Sequence, residues 1–193
     1  MPRCYFDPRS PFRLGVVTIA QLNRALARVR LEIDRHGFWN ERMAEVDVYL
    51  VPFGGAYGWQ WYGYTGEICI PAVSLSRLQD IFRRTYTSLA DVLRHEYGHA
   101  LADTHRGLFR SREFTRVFGE AHSSDATFEF DPEFHISVYA ATNAKEDFAE
   151  TFMCYLRHGG NFPARFRTIW IRQKWEFIER LGRAVRTGQR RWT

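Results

Sequence analysis

Lysine is almost missing from this chain: Lys145 and Lys174 are its only two, so nearly all of its 27 basic residues are arginine. Cysteine is scarce as well. Cys4, Cys69 and Cys154 are odd in number and show no CxxC spacing, which excludes both a disulfide framework and a cysteine zinc ribbon and fits a reducing compartment. No hydrophobic run approaches membrane-spanning length, and Pro2, Asp7, Pro8 and Pro11, with arginines between them, break up any signal-peptide-like segment. Cytoplasmic residence is therefore the expectation, although secretion without a cleaved signal leaves no trace in a sequence. Internal repeats and low-complexity segments are absent too.

What is present is the composition of a folded globular protein: 193 residues, 45% hydrophobic, 16% aromatic and 25% charged. One domain over 1–193 is expected, with an N-terminal arm at 1–17 and a basic tail at 187–193. The formal charge is +5. Much of that excess lies in Arg180, Arg183, Arg186, Arg190 and Arg191, which read as a basic helix end and a frayed tail. Nucleic acid binding is the lesser reading of that tail, no membrane partner is expected, and nothing points to an oligomeric state.

Thr18 is placed to cap a helix over 19–36, with Ile19, Leu22, Leu26, Val29 and Ile33 at helical spacing. Alternation over 46–51, 57–64 and 67–71, with glycines between, predicts a small antiparallel or mixed sheet. The aromatics Tyr57, Trp59, Trp61, Tyr62 and Tyr64 fit sheet-face packing better than a stacking platform. Further helices are expected over 74–84, from Ser88 to about Thr104, over 111–119, from Asn143 to about His158 and from Pro163 to Arg186. A polar loop at 120–134 and an extended stretch from His135 to Ala141 complete the reading.

Within the 88–104 helix lies His95-Glu96-Tyr97-Gly98-His99, an HExxH. Histidines at i and i+4 leave one helix face and can grip one cation, with Glu96 beside them to handle a proton. The plain alternative is two solvated histidines on an amphipathic helix. A catalytic zinc needs a third protein ligand and an open position for water. Downstream, Glu146 and Glu150 again stand at i and i+4, so Glu146 is the expected third ligand. Glu150 is then placed to hydrogen-bond the free nitrogen of a ligating histidine, and Asp103, one turn past His99, is a second candidate for that role. Asn143-x-x-Glu146 is equally an ordinary capping box, Glu150 could be a solvated charge or a partner of Arg157, and Asp103 a surface charge.

Taken with HEYGH, the run Val138-Tyr139-Ala140-Ala141-Thr142 followed by Lys145 to Phe152 resembles a bacterial family of zinc-binding metallopeptidases. Its members share an HExGH and a YA-x(4-5)-ED-aromatic-AET block, and Phe114 to Glu120, ending in Phe-Gly-Glu, is similar to the segment between them. More distantly, Tyr139, Thr142, Asn143, Glu146 and Glu150 resemble the corresponding run of anthrax lethal factor-type gluzincins. The resemblance covers about 88–160 and departs in one respect: relatives often carry an N-terminal cysteine ribbon, and here Cys4 stands alone in the arm.

The resemblance implies one catalytic Zn2+ on His95, His99 and Glu146, with Glu96 as general base and Tyr139 as a phenol that stabilises the oxyanion. It implies an α+β, zincin-like fold: a small sheet packed on the HExxH helix, a second glutamate-bearing helix beside it, and a long C-terminal helix. A peptide or protein substrate would lie along an edge strand, for which Glu67 to Val73 is the expected equivalent. His135, on the same expected strand face as Tyr139, is either a substrate contact or a surface histidine. The competing class is a zinc-binding regulatory or interaction protein with little turnover on the same fold.

Overall fold

The computed structural model describes residues 16–52, 57–62, 65–74, 77 and 88–192, and their architecture is α+β. The expected helix at 74–84, most of the N-terminal arm and Tyr64 lie outside the described residues. Among the described residues no helix is long and apolar enough to cross a membrane.

Helix α1 (Ile19–Arg35) starts where its caps are complete. Thr18 accepts from the Gln21 amide while the Gln21 side chain reaches back to the Thr18 amide, satisfying two amides that lack helical partners. Its apolar stripe buries Leu22, Val29 and Ile33. A short α2 (Glu41–Ala44) leads to the sheet, in which β1 (Asp47–Val51) and β2 (Gly58–Tyr62) flank β3 (Thr65–Pro71). β1 runs parallel to β3, pairing Asp47 with Glu67, and β2 runs antiparallel, pairing Gly58 with Cys69. The sheet is thus mixed. β3, whose equivalent was expected at an edge, is its centre and has no free side to offer a substrate.

Helix α3 (Leu89–Thr104), which carries HEYGH, is capped by Ser88 and buried along every face from Ala90 to Ala102. A helix enclosed this way is core, so any polar side chain on it must find a partner inside the protein. Two short helices follow, α4 (Arg106–Phe109) and α5 (Arg112–Phe118). Helix α6 (Ala144–Arg157) then crosses α3, and Gly98 sets how near it comes: a Cβ there would lie 3.1 Å from the Ala149 Cα. Only a hydrogen at position 98 lets the two backbones approach that closely.

Helix α7 (Ile169–Arg186) begins six residues later than expected. Pro163 opens a turn closed by the Phe166 amide, and Thr168 supplies the cap, accepting from the Ile171 amide while donating to the Glu133 carbonyl. The stretch from His135 to Ala141 is not extended. Asp131 and Ser137 draw nearby amides onto their side chains, Glu133 N–H to Asp131 and Ala140 N–H to Ser137, and the chain turns into a 3-10 helix at Ala140–Thr142. Such local bonds compete with strand pairing, and among the described residues no strand pairs with this stretch.

Nor does the tail fray. The Trp192 indole donates to the Leu108 carbonyl at 2.8 Å, its ring packs on Phe177, and the Arg190 carbonyl sits so close to Gly107 that a Cβ there would meet it at 2.1 Å.

Candidate metal centre

The i, i+4 spacing on α3 points His95 and His99 toward α6, and the Gly98–Ala149 approach brings Glu146 and Glu150 up to them. His95 Nε2 lies 3.0 Å from His99 Nε2 and 3.1 Å from Glu146 Oε2, and His99 Nε2 lies 3.3 Å from that oxygen. Among the described residues, His95, His99 and Glu146 are the group of donors that could hold a metal ion. Their spacing suits one: two donors at zinc bonding distance and a tetrahedral angle lie about 3.3 Å apart.

The surroundings fix these donors. Glu150, also buried, receives His95 Nδ1 at 3.0 Å and the Ser137 hydroxyl at 2.7 Å, so its carboxylate is held from two sides and presents Nε2 of His95 to the centre. Asn143 caps α6 by accepting the Glu146 amide. The Glu146 carboxylate meets His95 and His99 instead of reaching back to the Asn143 amide, so the capping box is not completed.

Charge is the second test of fit. Glu96, Glu146 and Glu150 crowd one buried imidazole, and among the described residues no lysine or arginine pairs with any of the three. Burial alone would lower the His95 pKa, but hydrogen bonds to Glu146 and Glu150, with the charge of Glu96, push it up to about 10. Burial likewise opposes ionisation of Glu146, yet the charges and hydrogen bonds of His99 and His95 hold its carboxyl far below the usual range. A field that binds a proton so firmly would hold a dication in its place. The donor set and the charge both fit zinc.

Two expected residues sit elsewhere. Asp103 accepts the Trp59 indole N–H at 2.8 Å and stands 3.6 Å from Arg106; it does not support His99, whose buried Nδ1 has no hydrogen-bond partner among the described residues. His135 is 8% exposed, its ring near Phe128 and Phe130, in a turn and not on a strand face shared with Tyr139. Tyr139 does face the centre, its ring 5.7 Å from that of His95. Burial first, then the carboxylates of Glu146, Glu96 and Glu150, push its phenol pKa up, so it stays a proton donor at neutral pH.

Two features were not legible beforehand. Glu96 Oε2 accepts the backbone N–H of Trp59 at 2.7 Å, and Gly58, at φ +90°, leaves room for that carboxylate, since a Cβ there would approach it to 3.2 Å. A main-chain donor has no residue signature. Ser137, the hydroxyl on Glu150, lies two residues before Tyr139 with no motif around it. No family model, curated protein or solved structure matches the chain.

Proposed function

We infer that the protein is a zinc-dependent peptidase of zincin-like fold in which His95, His99 and Glu146 hold the ion. The observation that carries this reading is the convergence of three ligand atoms at 3.0–3.3 Å inside a cluster of carboxylates with no lysine or arginine partner among the described residues. Bound there, zinc would supply Lewis acidity and an acidified water. Glu96, one of whose oxygens is held by Trp59 N–H, would be the base that takes up a proton from water at the site and returns it to the leaving amine. The phenol of Tyr139 donates to the carbonyl oxygen as negative charge builds on it.

A substrate strand would pair with β2, not β3. Trp59 N–H points away from β3 toward Glu96, and strand alternation puts the Trp61 N–H and C=O on that same outer edge. Backbone pairing of this kind accepts many sequences, which suits a peptide or protein substrate.

The second reading, a zinc-binding regulatory protein with little turnover, is favoured by one observation: Trp59 N–H occupies an oxygen of the general base. One experiment separates the two. Zinc-loaded protein is profiled against a peptide library beside Glu96→Ala, which is expected to keep its zinc and lose cleavage by about 100-fold or more. Cleavage equal in both proteins would overturn the mechanism, and zinc without any cleavage would leave the regulatory reading.

A further inference from the structure

The anchored tail gives the C-terminal arginines a fixed place. Arg190 and Arg191 are held against α4 by the Gly107 contact and by Trp192, and there they meet Arg42, Arg106, Arg110 and Arg112 from three other segments. Together these six line two adjoining cavities of about 690 and 580 Å³ that share Arg106, Gly107 and Arg191. Three acids also line them, and two are engaged: Glu113 pairs with Arg116 and Arg180, and Asp103 with Trp59. Arg110, Arg112, Arg190 and Arg191 have no carboxylate partner among the described residues. The cleft concentrates most of the excess positive charge of the chain.

This cleft extends to β2, the strand that holds Glu96. A third cavity, of about 370 Å³, shares Arg42, Asp103, Thr104 and Arg106 with the first and reaches Trp61, Thr65 and Gly66 on the sheet. The Arg106 guanidinium lies 5.0 Å over the Trp61 ring, and Trp61 is two residues along β2 from the amide that holds Glu96. At about 3.3 Å per strand residue, Trp61 stands roughly 7 Å along β2 from that amide, and Arg190 and Arg191 line the cavity beyond Arg106, so these arginines lie more than two residues of extended chain away.

We propose that the arginine cleft is an exosite for an acidic stretch of the protein substrate, lying three or more residues from the bond that is cut. Resting on the peptidase reading, it adds the substrate class. Charge complementarity selects an anionic partner, and the arrival of the cleft at Trp61 selects a polypeptide, because a chain paired to β2 passes that residue. Bases find no stacking platform here. The Trp192 ring lies between Phe177 and Arg180, and Trp61 is covered by Arg106.

The test takes a neutral peptide that the zinc-loaded protein cleaves and places Glu-Glu-Glu or Gln-Gln-Gln three to five residues away, on either side. For one side, the glutamate peptide should show about tenfold higher kcat/KM at low salt, a preference that fades once the Debye length shrinks below about 8 Å. It should collapse in Arg106→Gln/Arg190→Gln/Arg191→Gln. In parallel, fluorescence anisotropy follows a labelled glutamate-rich peptide on Glu96→Gln, with an oligo-dT competitor. Arginine-dependent peptide binding without any cleavage would support the cleft and overturn the peptidase reading. Cleavage with no acidic preference on either side would overturn the cleft alone, and so would oligo-dT binding more tightly through the same arginines.

Discussion

Helix α6 buries acids on two faces, and they are neutralised in opposite ways. On one face Asp147, wholly buried, has its own cation: Lys174 reaches it at 2.5 Å and also donates to the Phe134 carbonyl. Asp91 on α3 is treated alike, with Arg94 at 2.5 Å and Arg157 at 2.9 Å. On the other face Glu146 and Glu150 turn to imidazoles and hydroxyls, with no lysine or arginine partner among the described residues, and Glu96 adds a third negative charge. Ions taken out of water cost several kcal/mol unless paired. Among the described residues, one face takes its counter-charge from Lys174, while the other has no lysine or arginine and turns its carboxylates to the imidazoles.

Breaking the self-neutralised face should have the largest effect. Lys174→Met leaves Asp147 buried without its cation and should lower unfolding free energy by about 3–5 kcal/mol in denaturant titration, with zinc present or absent. A loss below 1 kcal/mol would mean that the pair is not the counterweight described. The geometry that assembles the other face depends on Gly98. Valine there must push Ala149 away, costing about 1–3 kcal/mol and drawing Glu146 and Glu150 off the imidazoles, so zinc affinity should fall together with stability. A Gly98→Val protein of unchanged zinc affinity would contradict the tight helix approach.

A finer probe is Glu150→Gln, which keeps the shape but removes the charge behind His95. Zinc affinity in competition with a chromophoric chelator should drop about 10–100-fold while the fold stays intact. The smallest effect belongs to a surface acid with private cations. A hydrogen bond from Arg116 is the main cause that lowers the Glu113 pKa to about 2, burial opposing and Arg180 assisting. Because that value is depressed from the ordinary 4.5, the stability Glu113 adds is complete above pH 4.5 and is lost as pH falls through about 2. Glu113→Gln should flatten the acid limb of a pH–stability curve between those values by a small amount, since the pair is largely solvent-screened.

Helices whose start is written in side-chain chemistry could be read from the sequence. Thr18, Ser88 and Asn143 each cap a helix where expected, and the i, i+4 pairs on α3 and α6 do face each other. The expected α+β class is also observed. Sheet order could not be read, because chain order does not say that β3 inserts between β1 and β2. The stretch from His135 to Ala141 turns where an extended run is expected, because Asp131 and Ser137 hold nearby amides on their side chains. Trp59 reads in the sequence as sheet-face packing or part of a stacking platform, and its polar contacts carry no signature there. Its amide holds Glu96, its indole holds Asp103, and its ring lies where a Cβ on Gly66 would be. The tail was misread for a similar reason: one aromatic, Trp192, outweighs the charge of its neighbours.

The claim on which all of this turns is that the uncompensated face of α6 and the two imidazoles of α3 share one zinc ion. Metal analysis by mass spectrometry of the purified protein beside Glu146→Ala, with circular dichroism confirming that both are folded, tests it directly. One zinc per chain in the parent and none retained in Glu146→Ala is the expected result. A folded parent that takes up no zinc, or a Glu146→Ala protein that keeps a full equivalent, would contradict it.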